Sequence, residues 1–341
     1  MDFRGQHEVV VITGASAGVG RATARAFAKR GACVGLLARD AERLDATRAE
    51  VEALGGKALA ISTDVADAAA VERAAELIES KLGEIDIWIN GAMATVLAPF
   101  NEISADEFRR VTEVTYLGNV YGTMAALKRM LPRDRGTIVQ VSSALAYHSI
   151  PLQSPYCGAK HAINGYTDSL RAELLHRGSH VHVAVVDMPG LNTPQFDWAL
   201  NKMPKRPRPV APVYQPELAA RAIVWAAHHR RARLYVGISS LLMIWADKFA
   251  PGMLDRYMAT SAFGGQQTSE PAEQGPGNLW QPAGGDHGAR GRFSGEAHEY
   301  SLQFWATTHR GRLALLGTAL AAGAVCAAGV GRKRDRKRLH R

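Results

Sequence analysis

Three residues have the types and spacing to transfer a proton to a substrate oxygen: Ser143, Tyr156 and Lys160. Tyr156 and Lys160 are four residues apart in a helical pattern, so they share one helix face. A free tyrosine titrates near about pH 10, and a neighbouring ammonium lowers that pKa. Ser143 follows a run of strand-forming residues and could donate to the same oxygen. Taken singly, these residues are better explained by helix packing, a solvated charge and a loop hydrogen bond.

Strands and helices alternate through the first 190 residues, which tells us how this chemistry would be positioned. Predicted strands are 8–14, 33–38, 57–65, 85–90, 136–143 and 181–188, and predicted helices are 20–31, 40–56, 67–83, 104–131 and 154–176. A helix at 215–227 and a strand at 233–237 follow. Apolar strands between helices predict an α/β fold, a doubly wound parallel sheet of the Rossmann type. Ser143 then lies at the carboxyl edge of the sheet, where ligands bind.

A glycine-rich turn joins the first strand to the first helix. "TGASAGVG" places Gly14, Gly18 and Gly20 between them. Glycines let the backbone approach a pyrophosphate, and the helix N-terminus offers free N–H groups and a positive dipole end. The alternative is an ordinary strand–helix turn, but its place at the start of a βαβ unit favours nucleotide binding.

The G-x-x-x-G-x-G spacing, "STDV", "INGA", the Ser143, Tyr156 and Lys160 set and "MPGLNT" together resemble the short-chain dehydrogenase/reductase family, in its Tyr-x-x-x-Lys branch. The resemblance covers about residues 7–240. It implies a single catalytic domain with a dinucleotide site at the sheet edge. The residues it assigns to the cofactor are Thr13, Gly14, Ser16, Gly18, Val19, Gly20, Arg39, Asp64, Val65, Asn90, Ala92, Tyr156, Lys160, Pro189, Gly190 and Thr193.

The end of the second strand bears on which cofactor is used. A carboxylate there would accept from the ribose 2′-hydroxyl of NAD. Alignment instead places Ala38 at that point, followed by Arg39, whose guanidinium suits a 2′-phosphate. We therefore expect NADP(H). The alternative is NAD(H), with Arg39 in solvent and Asp40 reaching the ribose.

By resemblance, Tyr156 is the general acid/base, Lys160 tunes it and binds the nicotinamide ribose, and Ser143 binds the substrate oxygen. The family often has an asparagine in the fourth helix that holds a relay water. Thr115 stands there in this chain, with Asn119 one turn further on. The predicted function is an NADP(H)-dependent oxidoreductase that reduces a carbonyl or oxidises a secondary alcohol. The alternatives are a catalytically silent NADP(H)-binding sensor or scaffold, and sugar-nucleotide epimerisation on a related fold.

The substrate is a small molecule in this interpretation. Leu191, Phe196, Trp198 and Leu200 favour an apolar one, although core packing explains the same residues. Residues 238–254 could add an apolar wall or a subunit contact. The family resemblance implies a homodimer or homotetramer that pairs through the long helices.

Composition divides the chain into three parts. Residues 1–262 form the predicted catalytic domain, 263–305 a flexible Gly/Pro-rich connector, and 306–341 an apolar helix with a basic tail. The tail 331–341 carries seven Lys/Arg and one Asp, so it holds +6 of the net charge of +9. This distribution, without interleaved aromatic residues, argues against nucleic-acid binding.

The uncharged segment 313–330 leaves two interpretations open. It could contact a membrane, together with the basic tail through 341, with the catalytic domain on the cytoplasmic side. It could equally pack on the body or on a partner. The three cysteines show no CxxC spacing and the twelve histidines no HExxH spacing, so we expect neither a disulfide framework nor a metal site.

Overall fold

A computed structural model of the chain describes residues 7–273, 275–315 and 318. The chain divides into two units, Met1–Tyr300 and Ser301–Arg341. The first contains the sheet, the glycine turn and the three chemically interesting residues of the sequence.

Seven strands form the central sheet of the first unit. They are β1 (Val9–Thr13), β2 (Cys33–Ala38), β3 (Lys57–Ser62), β4 (Ile87–Asn90), β5 (Thr137–Ser143), β6 (His182–Met188) and β7 (Arg233–Tyr235). Their spatial order is β7-β6-β5-β4-β1-β2-β3, and every neighbouring pair is parallel. The order reverses between β1 and β4, so the chain crosses over to opposite faces of the sheet. This confirms the predicted doubly wound fold.

Helices cover both faces of the sheet. The principal ones are α1 (Gly18–Ala28), α2 (Ala41–Ala53), α3 (Ala68–Leu82), α4 (Ala105–Thr112), α5 (Gly118–Met130), α6 (Ser154–His176), α7 (Pro216–His228), α8 (Ile238–Phe249) and α9 (Pro251–Tyr257). Their starts follow local capping chemistry. Asp40 accepts from the Arg43 N–H at the start of α2, and Ser104 and Glu107 form the predicted capping box of α4.

The predicted long fourth helix is interrupted. Between α4 and α5 the chain makes a π-helical segment, Glu113–Leu117, with Thr115 at its centre. Gly118 follows because a Cβ there would lie 2.6 Å from a methyl group of Val65. π segments are frequently found at functional sites, and this one lies beside the loop after β4.

The segment predicted as a flexible connector makes specific contacts in the structure. Gln267–Pro271 is a strand that pairs with Lys205–Pro207, and the described residues up to Tyr300 belong to the same unit as the sheet. Leu279 is fully buried in the main hydrophobic core. The physical reason is that arginine side chains of the body donate to the polar backbone of this segment, which composition alone does not show.

The second unit is described for residues 301–315 and 318. It begins with a helix, Leu302–Thr308, whose N-cap Ser301 accepts from the Phe304 N–H at 3.2 Å. The rest of the predicted segment 313–330 and the basic tail lie outside the described residues. Among the described part of the chain, we find no helix with the length and apolar character to cross a membrane.

Candidate active site

The glycine turn has the shape that a phosphate cradle needs. Gly14 has φ +73° and Gly18 has φ +54°, both in the left-handed region. A Cβ on Gly20 would collide with the carbonyl oxygen of Gly14, so only glycine allows α1 to start this close to the turn. The first N–H groups of a helix lack intrahelical partners and can bind an anion, and in α1 the Gly18 N–H donates to the Gly288 carbonyl at 3.2 Å. A dinucleotide pyrophosphate therefore fits this turn.

Arginine and aspartate side chains lie close together near the ends of β2 and β3, at the same carboxyl edge of the sheet. Arg110 donates to Asp64 at 2.5 Å. Burial raises the pKa of Asp64, but the hydrogen bonds from Arg110 and the Ala66 N–H and the charges of Arg110 and Arg39 together hold that pKa below its ordinary value. Asp40 is committed to the start of α2 and to Arg43 at 3.2 Å. Within the described part of the chain, Arg39 donates to the backbone carbonyls of residues 278–280 and to no carboxylate.

Ser143, Tyr156 and Lys160 come together at the carboxyl edge, from the end of β5 and the first turns of α6. The Ser143 side chain lies near the Tyr156 hydroxyl and acts to lower the pKa of that phenol. The Lys160 Nζ lies 5.5 Å from the centre of the Tyr156 ring and donates to the carbonyl of Val141 at 2.6 Å. The three side chains thus lie close together at the carboxyl edge of the sheet.

Burial dominates the electrostatics of this group. It raises the pKa of Tyr156 above its ordinary value, and the Ser143 side chain partly offsets the rise. Burial also lowers the pKa of Lys160 to about 8, with Asp187 opposing the change. The sequence predicted that Lys160 lowers the pKa of Tyr156. Among the described residues the net effect is a raised pKa, because desolvation of the phenolate is the larger effect.

Sequence reasoning missed Asp187, the second-last residue of β6, whose charge acts on Lys160. Its side chain is fully buried and accepts from the Tyr147 hydroxyl at 2.9 Å, which itself accepts from Arg233 at 2.7 Å. Burial raises the pKa of Asp187 to about 6, against the Tyr147 hydrogen bond and the charges of Arg233 and Lys160. A charged residue inside the apolar run "VHVAVVDM" was the available signal, because buried carboxylates need partners.

Thr115 is fully buried and fixes the loop after β4. Its hydroxyl donates to the Ala94 carbonyl at 3.0 Å and accepts from the Ala94 N–H at 2.9 Å. Asn119, one turn further on, accepts from Tyr166 in a buried polar network on α5. The two residues of the predicted relay therefore have different partners, and only Thr115 contacts the loop that borders the cavity.

Two other predicted cofactor residues have side chains bonded elsewhere. The Thr13 hydroxyl accepts from the Gly91 and Ala92 N–H groups at 3.0 and 3.2 Å and so ties β1 to the loop after β4. The Asn90 amide donates to Thr123 at 3.0 Å and belongs to the buried network below the sheet edge. Both side chains therefore stabilise the backbone and the polar network that surround the site.

A cavity of about 610 Å³ joins these groups. The predicted residues that line it are Gly14, Ser16, Gly18, Val19, Gly20, Arg39, Asp64, Val65, Ala92, Ser143, Tyr156, Lys160, Pro189, Gly190 and Thr193. Leu191, Phe196 and Trp198 from the sequence prediction also line it, together with apolar side chains from residues 238–262. Leu200 lies in the core instead. Among the described residues no cluster of side chains could hold a metal ion.

The sheet order, glycine turn and catalytic group define an oxidoreductase that uses a nicotinamide dinucleotide. Comparison with known proteins agrees: residues 8–203 match the family model described as short chain dehydrogenase. The chain belongs to the short-chain dehydrogenase/reductase family.

Individual relatives share about a third of their residues with this chain. An uncharacterized oxidoreductase YxnA of Bacillus subtilis is 32% identical over 267 residues, which is 78% of this chain and 75% of the relative. A 3-dehydrosphinganine reductase of Danio rerio is 33% identical over 66% of this chain and 69% of its own. A D-threitol dehydrogenase of Mycolicibacterium smegmatis is 34% identical over 53% of this chain and 70% of the relative.

Proposed function

We propose that the protein is an NADP(H)-dependent oxidoreductase that interconverts a carbonyl and a secondary alcohol on a mainly apolar small molecule. The observation that carries this proposal is the shared cavity. Ser143, Tyr156 and Lys160 line the same space as the glycine turn, and apolar side chains line it as well. Relatives named as a reductase and as a dehydrogenase leave both directions of the reaction in the proposal.

The bound nicotinamide supplies or accepts the hydride. Tyr156 gives a proton to the substrate oxygen in reduction and takes it back in oxidation, next to the Ser143 side chain. Ser143 donates to the same oxygen and fixes its position. Lys160 supplies positive charge beside the Tyr156 ring, which favours the phenolate that proton transfer leaves behind.

Charge at the adenosine end supports NADP(H) over NAD(H). Among the described residues Arg39 has no ion pair, whereas Arg110 and Arg43 are paired with Asp64 and Asp40. A 2′-phosphate would give Arg39 an anionic partner. Asp40, the alternative ribose ligand, caps α2.

The apolar substrate is proposed from the wall of the cavity. Side chains of Met243, Ala246, Leu254 and Met258 line it, from the region of α8 and α9. A carbonyl would face Tyr156 while its apolar substituents contact this wall. Pairing of two or four chains stays a prediction.

The test is the loss of NADPH absorbance with ketones of increasing apolar length. We expect turnover to improve with apolar length and to fall at least ~1000-fold in Tyr156→Phe, since the proton donor is lost. Binding of NADPH, followed by its fluorescence, should stay within about threefold, a small change on the free-energy scale. The matched control is Tyr300→Phe, at a tyrosine that is 78% exposed.

Two results would contradict the proposal. Undiminished turnover in Tyr156→Phe would remove the assigned acid/base. Binding of NADPH without turnover on any carbonyl or alcohol would favour the catalytically silent sensor instead.

A further inference from the structure

Residues 278–288, here named the strap, cross the adenosine end of the cavity. Arg39 donates to three consecutive carbonyls of the strap, those of Asn278, Leu279 and Trp280, at 2.5, 3.2 and 3.0 Å. A guanidinium carries five N–H donors, so three bonds leave two for another acceptor. The strap carbonyls thus accept from three N–H groups of the Arg39 guanidinium and leave the other two available.

The strap is anchored near Arg39 by Leu279. The Leu279 side chain is fully buried in the main core. The carbonyl of Leu279 also accepts from Arg110 at 3.3 Å, and Arg110 is itself held by Asp64. These contacts fix the three strap carbonyls relative to the ends of β2 and β3. They therefore also fix the orientation of the Arg39 guanidinium that donates to these carbonyls.

The far end of the strap is anchored over the glycine turn. Asp286 is paired with Arg21, with one oxygen 3.0 Å from a guanidinium nitrogen. Arg43 donates to the Gly285 carbonyl at 2.6 Å, and the Gly288 carbonyl accepts from the Gly18 N–H at 3.2 Å. The strap therefore spans from Arg39 to the phosphate turn.

Arg39 differs from the other arginines that the strap contacts. Arg21, Arg43 and Arg110 each pair with a carboxylate, but among the described residues Arg39 has only neutral hydrogen-bond partners. Burial lowers the pKa of Arg39 below its ordinary value, and the charge of Arg110 adds to this, while Asp64 opposes it. An added anion would therefore relieve an uncompensated buried charge.

We propose that the strap is the positioning element that aims Arg39 at the 2′-phosphate and so sets the preference for NADP(H) over NAD(H). This inference rests on the proposed NADP(H) function. The three carbonyls hold one side of the guanidinium and present the remaining N–H donors to the ligand. Without them, Arg39 has several rotatable bonds and must be ordered by the cofactor itself.

The experiment measures the dissociation constants of NADPH and NADH by fluorescence titration in strap variants. Leu279→Ala removes the buried anchor, and Asp286→Asn releases the far end by a milder change at a 41% exposed carboxylate. We expect Leu279→Ala to lower the NADPH-over-NADH preference about tenfold, since ~1.4 kcal/mol corresponds to a factor of ten. Asp286→Asn should lower it in the same direction by a smaller factor.

Matched controls make the same changes away from the strap. Leu175→Ala and Asp45→Asn alter residues that are 79% and 63% exposed, and both should keep the preference. A second comparison repeats Leu279→Ala in an Arg39→Ala background. There it should no longer change the preference, because the guanidinium that the strap positions is gone.

The outcomes separate the two proposals. If both strap variants weaken NADPH and NADH equally, or leave the preference unchanged, the positioning role is refuted while the NADP(H) function stands. If the unaltered protein binds NADH as tightly as NADPH, the NADP(H) assignment is refuted, and the strap inference with it.

Discussion

We expect the buried charge of Lys160 to lower the free energy of unfolding, although the proposed reaction requires that charge. The residue is only 4% exposed, and its ammonium has a hydrogen bond to the Val141 carbonyl and the carboxyl of Asp187 as its electrostatic support. Lys160→Met keeps the length of the side chain and removes the charge. We expect this variant to lose turnover and to gain stability, because a buried charge with incomplete compensation is costly.

The size of the gain follows from the pKa. Burial lowers the pKa of Lys160 from 10.5 to about 8. At about 1.4 kcal/mol per pH unit, that change corresponds to ~3 kcal/mol of instability at neutral pH. The variant loses the bond to Val141, worth ~1 kcal/mol. The free energy of unfolding should therefore rise by ~2 kcal/mol.

The pH dependence identifies the cause. Between about pH 8 and 10.5 the unfolded lysine binds more protons than the folded one, so the stability of the unaltered protein rises with pH in this window. The advantage of Lys160→Met should accordingly shrink by ~1 kcal/mol between about pH 7 and about pH 9. The same substitution at the exposed Lys81 should show neither effect.

The assay is urea unfolding followed by circular dichroism at both pH values, for the unaltered protein and the two variants. Taking the difference between proteins at each pH cancels the other titrating groups. A Lys160→Met variant that is less stable at neutral pH, or whose advantage is the same at both values, would refute the account of Lys160 as a desolvated ammonium.

Three further predictions concern neighbours of this group. Asp187→Asn should move the alkaline limb of the pH profile of kcat/KM to lower pH, because the carboxylate that favours the Lys160 ammonium is lost; an unmoved limb would contradict this. Gly20→Ala should abolish NADPH binding in a fluorescence titration, because its Cβ meets the Gly14 carbonyl, and tight binding would show that the turn is not the phosphate site. Thr115→Val should lower turnover, and it should lower the free energy of unfolding by ~2 kcal/mol, because two hydrogen bonds to Ala94 are lost. Thr115→Ser should keep both turnover and stability. Equal values in the two variants would show that the hydroxyl has no such role.

Local patterns predicted the architecture because each strand and helix is specified by nearby residues. The capping box at Ser104 and Glu107 is an example, since both hydrogen bonds lie within four residues of sequence. The placement of Tyr156 and Lys160 on one face of α6 follows in the same way from helix periodicity. Their burial does not, because it depends on the loops and helices that close around the sheet edge.

Long-range partners account for what the sequence did not predict. Asp187 and Lys160 are 27 positions apart, and only the parallel sheet with α6 against it brings their charges together. Asn90 shows the converse. Its motif suggested a cofactor contact, but Trp88 donates to its side-chain oxygen at 2.8 Å and Thr123 accepts from its amide. A short motif fixes which residue is present, whereas the direction of its side chain depends on partners elsewhere in the chain.

The strap shows why composition is a weak guide to order. Glycine and proline lower helix and strand propensity, so a segment rich in them is predicted to be flexible. Yet their backbone carbonyls remain strong acceptors, and buried arginines without enough carboxylates need such acceptors. Arg39, Arg43 and Arg110 each donate to a carbonyl in residues 278–288. The order of this segment is thus encoded in the arginines of the body, more than 160 positions earlier in the chain.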